Sequence, residues 1–258
     1  MMLDFILIAG GGKFGKKALE FGKKKNYKII IIDNNPNCYV AKFVNKKFDN
    51  LHDINSKLKE IEPGEICLLI QDAPFAYELI IKTNPAYIIP VVPIHLTASL
   101  ITYFLSIKNE INLTSDAKSA TKFVNYANRE ILLAYNINEG VAYLSYAKVD
   151  EICPDNCTGP FDYCPNFNRE KPITITKYLK NYYNIANLIR IDEKIISKII
   201  IINESYQLMP GLGGLRGKDI NHILQILNEY LDVLSNQKFN IIIATTCNCH
   251  GVINFYKN

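Results

Sequence analysis

The sequence predicts an α/β protein: a parallel-sheet domain over residues 1–110, followed by a smaller α+β domain over 111–258 that carries cysteines. Three observations predict it. Short apolar runs alternate with helical patterns through the first hundred residues, the mark of strands joined by crossover helices. After about residue 110 this rhythm gives way to a hairpin pattern, a loop rich in Pro, Asn and Gly, and one strongly periodic helix. Five of the seven cysteines fall in two short polar segments of this second part.

The elements follow in order. "LDFILIAG" is a first strand. "KFGKKALEFGKKKN" is a helix with Phe14, Ala18, Leu19 and Phe21 on one side and lysines on the other. "YKIIIID" is apolar nearly throughout, as a strand covered on both faces must be. "NCYVAKFV" and "LHDINSKLKEI" read as helices, and "EICLLIQD" as a strand. "PFAYELIIKTN" is a helix with Pro74 at its start, and "AYIIPVV" a strand. Residues 87–107 carry no charge and are long enough for a membrane span. Pro90, Pro93 and His95 break that stretch, and Thr97, Ser99, Thr102 and Ser106 dot its remainder. A strand, a turn and a helix from residue 95 are therefore expected, and no span.

Past the boundary near "KNEINLTSD" (108–116), residues 129–149 read as two strands joined at Asn138-Glu139-Gly140. "TITKYLKNYYNIANLI" is helical, "KIIIIN" a strand and "PGLGGLRG" a glycine-rich loop. "KDINHILQILNEYLDVLS" places Ile220, Ile223, Leu224, Leu227, Leu231 and Leu234 at helical spacing. "FNIIIATTCNCHG" is a strand running into the second cysteine cluster.

The apolar share of 48% and charged share of 21% suffice for a packed core. The net charge of +4, mostly spread lysine, is no nucleic-acid footprint. "MMLDFILIAGGG" has an acid and no basic start, so it reads as a strand and not as a secretory signal, and a cytoplasmic location is expected. In that compartment clustered cysteines are metal ligands or redox groups more often than disulfides.

"AGGGKFG" lies between the first strand and first helix, and Gly10, Gly12 and Gly15 fit G-x-G-x-x-G. Such glycines permit a tight turn, close approach of a pyrophosphate, and close packing of helix on strand. The helix start then offers free N–H groups to phosphate. Asp33 ends the second strand where an acid bonds a ribose 2′-hydroxyl, which favours NAD over NADP. The expected nucleotide site, in a Rossmann-like domain, comprises Gly10, Gly12, Lys13, Phe14, Gly15 and Asp33, with Lys16 and Lys17 close by. The bland reading is a glycine turn in a domain that binds no nucleotide.

The stretch "ILIAGGGKFGKKALEFGKKKNYKIIIIDNNPN" resembles the NAD-binding domain of the TrkA/KTN group, which regulates potassium channels and transporters. The resemblance rests on Asp33-Asn34-Asn35-Pro36 after the second strand and covers only about the first hundred residues. The same stretch is similar to the dehydrogenase part of sirohaem synthases, which generally lack the acid that Asp33 supplies. The second half does not resemble the ligand-binding domain of potassium regulators, so that function is not carried over. The cysteine loop paired with "CNCHG" is similar to an uncharacterised group of Rossmann-like proteins in anaerobic bacteria and archaea, which implies no activity.

Cys153, Cys157 and Cys164 have the spacing C-x3-C-x6-C, and Cys247, Cys249 and His250 form C-x-C-H. Joined, they count correctly for a structural zinc or a [4Fe–4S] cluster. Proline after Cys153 and Cys164 leans toward iron–sulfur, but the gaps match neither usual spacing. A thiol-redox pair and unconnected loop cysteines are the alternatives. Cys38 and Cys67 read as core thiols. Gly213, Gly214 and Arg216 form a candidate anion or substrate site beside Gly211 and Gly217. Of the other histidines, His95 merits attention at a strand end, whereas His222 and His52 read as packing or surface residues.

The sequence thus points to an NAD(H)-binding, oxidoreductase-like protein with a cysteine-ligated metal or iron–sulfur centre and a small-molecule ligand. Alternatives are a non-enzymatic NAD, redox or metal sensor and a metal-stabilised binding protein. A homo-oligomer is compatible with the sequence.

Overall fold

A computed structural model describes residues 5–191 and 197–258. Leu3 and Asp4, included in the expected first strand, lie outside them. The protein is a mixed α/β chain that divides into two compact units. One comprises residues 1–103 and 212–225, the other 104–211 and 226–258, so the division is not a single cut of the chain.

In chain order the elements begin with β1 (Phe5–Ala9), α1 (Lys13–Lys24), β2 (Lys28–Ile32), β3 (Lys46–Phe48), α2 (Leu51–Lys57), β4 (Ile66–Leu69), α3 (Ala76–Thr83) and β5 (Tyr87–Pro90). Then come α4 (Leu96–Asn109), β6 (Thr114–Ser115), α5 (Ala117–Tyr126), β7 (Leu132–Asn136), β8 (Val141–Ser145), β9 (Tyr163–Cys164) and β10 (Arg169–Glu170). The chain closes with α6 (Ile175–Tyr183), β11 (Ile189–Ile191), β12 (Lys198–Met209), β13 (Leu212–Arg216), α7 (Gly217–Glu229), α8 (Leu231–Ser235), β14 (Asn240–Thr246) and β15 (His250–Lys257).

In the first unit, β3, β4, β2, β1 and β5 lie side by side and parallel, and β13 joins β5 antiparallel. Every side chain of β1 and of Ile29–Ile32 is buried, which explains why these strands are apolar without alternation. Helix α1 buries Ala18, Leu19 and Phe21 and turns its lysines outward. Its Gly22 has no room for a β-carbon, which would lie 2.7 Å from the ends of both Ile6 and Ile29.

Two expectations are corrected here. "NCYVAKFV" forms only a single tight turn, Ala41–Phe43, since β-branched Val40 and Val44 disfavour a helix on either side. The glycine-rich "loop" is strand β13, paired through Leu215 and Arg216 to Ile88 and Tyr87. Leu212, Gly214 and Leu215 are buried, and Gly213 is exposed. A β-carbon on Gly217 would run into the Pro85 carbonyl.

In the second unit, β12 and β14 are parallel, and β14, β15, β8 and β7 continue as antiparallel neighbours. Strands β11 and β6 add to β12 and β15. Helices α5 and α6 share a core with Ile200, Ile202, Ile242, Ala244, Ile253 and Phe255. There the Phe123 ring meets Tyr182, Tyr183 and Phe255, with centroids 5.2, 6.3 and 5.5 Å away. Asp116 caps α5 by accepting from the Ser119 amide at 3.2 Å, and Thr174 caps α6 by accepting from Lys177. Helix α6 stops at Asn184, which takes a left-handed φ of 51°, short of the expected end at residue 189.

The expected hairpin over 129–149 is present as β7 and β8. Residues 87–107 form β5, a turn and α4. Among the described residues no helix is long and apolar enough to cross a membrane.

Candidate functional site

Two segments of the second unit bring cysteines together. The first is the tight turn between β14 and β15. Thr246 pairs with Gly251, and the Cys247 amide donates to the His250 carbonyl at 2.8 Å, so Cys247–His250 sit at the hairpin tip. The tip is docked on the start of α6: the Ile175 and Thr176 amides donate to the Asn248 and Cys247 carbonyls at 3.2 and 3.3 Å. These amides have no partner inside their own helix, and the hairpin tip satisfies them.

The second segment is the chain between β8 and α6. Most of it has no regular structure, so side chains pin it. Arg169 reaches Glu151 through two hydrogen bonds of 2.8 Å each and also donates to the Tyr146 carbonyl. This bidentate grip holds Glu151 well below its ordinary value, to about 2. Gln207 Nε2 and the Gly211 amide both donate to the Cys157 carbonyl, at 2.7 and 2.8 Å. Asn248 Nδ2 donates to the Gly159 carbonyl at 3.1 Å, tying the loop to the hairpin tip.

Between these supports the sulfurs gather. Cys153 Sγ lies 3.5 Å from His250 Nε2, and Cys247 Sγ lies 3.8 Å from His250 Nδ1. Cys247 Sγ also accepts from the Cys249 and His250 amides at 3.5 and 3.3 Å. Cys157 Sγ accepts from the Gly159 amide at 3.3 Å and from Asn166 Nδ2 at 3.6 Å. Lys171, only 3% exposed, donates to the Pro160 carbonyl and to Cys249 Sγ, the latter at 3.1 Å. Cys164 is buried in β9, opposite Arg169.

The electrostatics agree with this crowding. Burial pushes the Cys153 thiol up, and the charges of Cys157, Cys164, Cys249 and Cys247 push it further. Burial also raises Cys247, against the pull of the Cys249 and His250 amides. His250 is pulled below the usual histidine range, first by desolvation of its ring and then by Lys171. It therefore presents a neutral imidazole at neutral pH, the form that binds metals.

The donor set suits a soft, thiolate-bound centre. A cysteine sulfur and a histidine nitrogen on one tetrahedral zinc stand about 3.6 Å apart, given the usual bond lengths. The Cys153–His250 separation matches that spacing. Among the described residues, however, no three His, Cys, Asp or Glu side chains form a ready-made metal-binding group. The sulfurs are neighbours held by separate hydrogen bonds.

The glycine loop belongs to the first unit. Gly10 ends β1 with a φ of 108°, and a β-carbon on Gly15 would lie 2.7 Å from the Gly10 carbonyl. Gly12 caps α1, and Lys13 and Phe14 beside it are exposed. Asp33 accepts from the Gly11 amide at 2.6 Å and from the Asn35 amide at 2.8 Å, so its carboxylate fixes the loop. The loop after β2 returns over it, and the Val40 amide donates to the Gly11 carbonyl at 3.0 Å. A side chain on Gly11 would strike the Cys38 sulfur. Cys38 and Cys67 are buried thiols whose ionisation burial disfavours.

Of the remaining candidates, Gly213, Gly214 and Arg216 lie along β13. His222 is exposed on α7, and the His52 side chain is 91% exposed. His95 precedes α4, where its carbonyl accepts from Ser99. Lys171, Arg169 and Glu151 are absent from the sequence-derived site. They are charged residues flanking a cysteine loop, a pattern that reads as solvated surface until the loop's packing is known.

Fold and site define a two-unit α/β protein with a thiol-rich loop closed on a hairpin tip. The chain belongs to a family of uncharacterized proteins described by two domain models: its C-terminal domain model matches residues 100–258 and its N-terminal domain model residues 4–96. It is similar to an uncharacterized protein of Archaeoglobus fulgidus, 26% identical over 254 residues that cover 97% of this chain and 98% of the relative. No solved structure matches it at a significant level.

Proposed function

We propose that this protein binds NAD(H) in its first unit and a zinc ion or iron–sulfur cluster through the thiols of its second, and acts as an oxidoreductase. The observation that carries the reading is the meeting of Cys153 with His250 and Cys247, residues some ninety positions apart in sequence. Bringing the Cys153 and Cys247 thiols to one partly buried imidazole costs desolvation, which ligation would offset.

The nucleotide half of the reading rests on order and chemistry. Leaving aside short β3, the parallel strands run β4-β2-β1-β5, the order of half a Rossmann sheet. The Gly10–Gly12 turn lies at the carboxyl end of β1, where such sheets bind ligands. Asp33 has two oxygens and accepts one amide on each. A carboxylate offers about four lone-pair positions, which leaves room for a ribose hydroxyl. The TrkA/KTN resemblance supports the same nucleotide.

A zinc ion would supply a rigid cross-link, and an iron–sulfur cluster one-electron transfer. The chain's own part is to hold the thiols in place. Amides of Cys249 and His250 donate to the Cys247 sulfur and that of Gly159 to the Cys157 sulfur, and the Glu151–Arg169 clamp fixes the loop that carries three of the thiols.

Purification without air, with metal and acid-labile sulfide analysis and an NADH fluorescence titration, tests the reading. Bound metal and saturable NADH binding are expected. A metal-free protein that ignores NADH would end it.

A further inference from the structure

We infer that Lys171 and Cys249 form an oxidative modification site: dioxygen places a single oxygen atom between Lys171 Nζ and Cys249 Sγ, and that covalent bridge fastens the cysteine loop to the hairpin tip. The inference goes beyond the proposed function and needs neither NAD(H) nor a metal.

The fold sets up the pair. Lys171 follows β10, and its amide donates to the Asp162 carbonyl at 2.6 Å, which holds its backbone to the loop. Its side chain is buried, and Nζ donates to the Pro160 carbonyl and to Cys249 Sγ, the latter at 3.1 Å. The same carbonyl lies 3.9 Å from that sulfur, so amine, sulfur and carbonyl are mutual neighbours. Beside them, Asn248 Nδ2 donates to the Gly159 carbonyl at 3.1 Å and keeps loop and tip in register. Cys249 is partly exposed, so an oxidant can reach the residue whose sulfur faces the buried amine. A thiol next to a cation and open to solvent is the kind that oxidises. Cys153, Cys157 and Cys247 instead face His250, Asn166 or backbone amides, none of them an alkylamine.

The step balances with one dioxygen. Cys249 gives up its S–H hydrogen and the Lys171 amine one N–H hydrogen. One oxygen atom forms the S–O and O–N bonds, and the other leaves as water with the two hydrogens. Sulfur and nitrogen each yield two electrons, the four that dioxygen accepts. Thiolate with ammonium and thiol with amine hold the same hydrogens, so either form gives the same balance. The 3.1 Å gap suits one inserted atom, whereas a direct sulfur–nitrogen bond would draw loop and tip closer together. Oxidation thus turns a non-covalent closure of the loop on the tip into a covalent one.

The test uses the full-length protein, purified without air and then divided, one half being exposed to air. The non-reduced mass of the exposed half should rise by one oxygen less two hydrogens, and dithiothreitol should reverse the change. Non-reducing trypsin digestion should yield peptide 170–177 joined to peptide 239–257, with fragmentation placing the link on Lys171 and Cys249. Cys249→Ser and Lys171→Met should lose the link and Cys247→Ser should keep it, each variant checked for folding by circular dichroism. The wild-type peptide alone decides the matter if a variant fails to fold. An unchanged mass after exposure, a loss of two hydrogens without gain of oxygen, or a link on Cys247 would overturn the inference. Because none of these readings involves NADH or metal, its failure and that of the functional reading are separate results.

Discussion

Arg169 and Glu151 face each other through two parallel hydrogen bonds of 2.8 Å, and that pair anchors the loop between Cys153 and Cys164. Lysine cannot reproduce a two-pronged grip. Arg169→Lys and Arg169→Leu should therefore each lower metal affinity about tenfold, as outer supports of metal sites do. Competition with a chromophoric chelator measures the change. Affinity equal to wild type in both variants would show that the clamp is not needed.

Asp33 is the second residue whose chemistry can be isolated. It orders the glycine loop through Gly11 and offers the remaining lone pairs to a ribose. Hydrogen bonds to charged groups contribute about 1.5–3 kcal/mol. Asp33→Ala should weaken NADH binding by about tenfold or more, at 1.4 kcal/mol per factor of ten. Asp33→Asn should narrow the preference for NADH over NADPH by removing the repulsion of a 2′-phosphate. Fluorescence titration with each nucleotide reads both effects, and an unchanged preference in the asparagine variant contradicts the assignment.

Glu65 and Lys46 give a pH dependence in the first unit. Their charges meet at 2.8 Å, and the Lys46 hydrogen bond holds the Glu65 carboxyl below its ordinary value near 4.5. A carboxylate lowered in this way binds fewer protons folded than unfolded. Its contribution is complete above pH 4.5 and is lost as pH falls through the lowered value. The stability difference between wild type and Glu65→Gln, followed by urea unfolding, should shrink on acidification. A difference that grows toward acid would have the wrong sign.

Asn203 lies on β12 with no exposure, and neither atom of its carboxamide has a hydrogen-bond partner. Its cross-strand neighbour on β14 is Thr245. A buried unpaired amide is costly, and an apolar group of similar shape removes that cost. Asn203→Leu should raise stability by about 1 kcal/mol, seen as a higher urea midpoint at unchanged slope. A lower midpoint would mean that the amide is in use.

Much of the first unit was legible because the period of its sequence is the period of its structure. "YKIIIID" and "EICLLIQD" could only be strands covered on two faces, and β2 and β4 are that. Segment 212–217 misled because glycine marks loops and close packing alike. Gly217 is there to let chain pass near chain. The return of 212–225 to the first unit rests on pairing with β5, which no local pattern announces. In the thiol site, the cysteines stood out by composition, whereas Lys171 did not. A lysine reads as surface unless one knows that Pro160 and Cys249 close over it.

The central claim is that sulfurs from the loop and from the hairpin tip hold one centre together. Metal and sulfide content of protein purified without air, compared among wild type, Cys157→Ser and Cys247→Ser, tests it most directly. The account predicts stoichiometric metal in the wild type and a loss of most of it in each variant, with the fold retained by circular dichroism. Full metal content in both variants would contradict it.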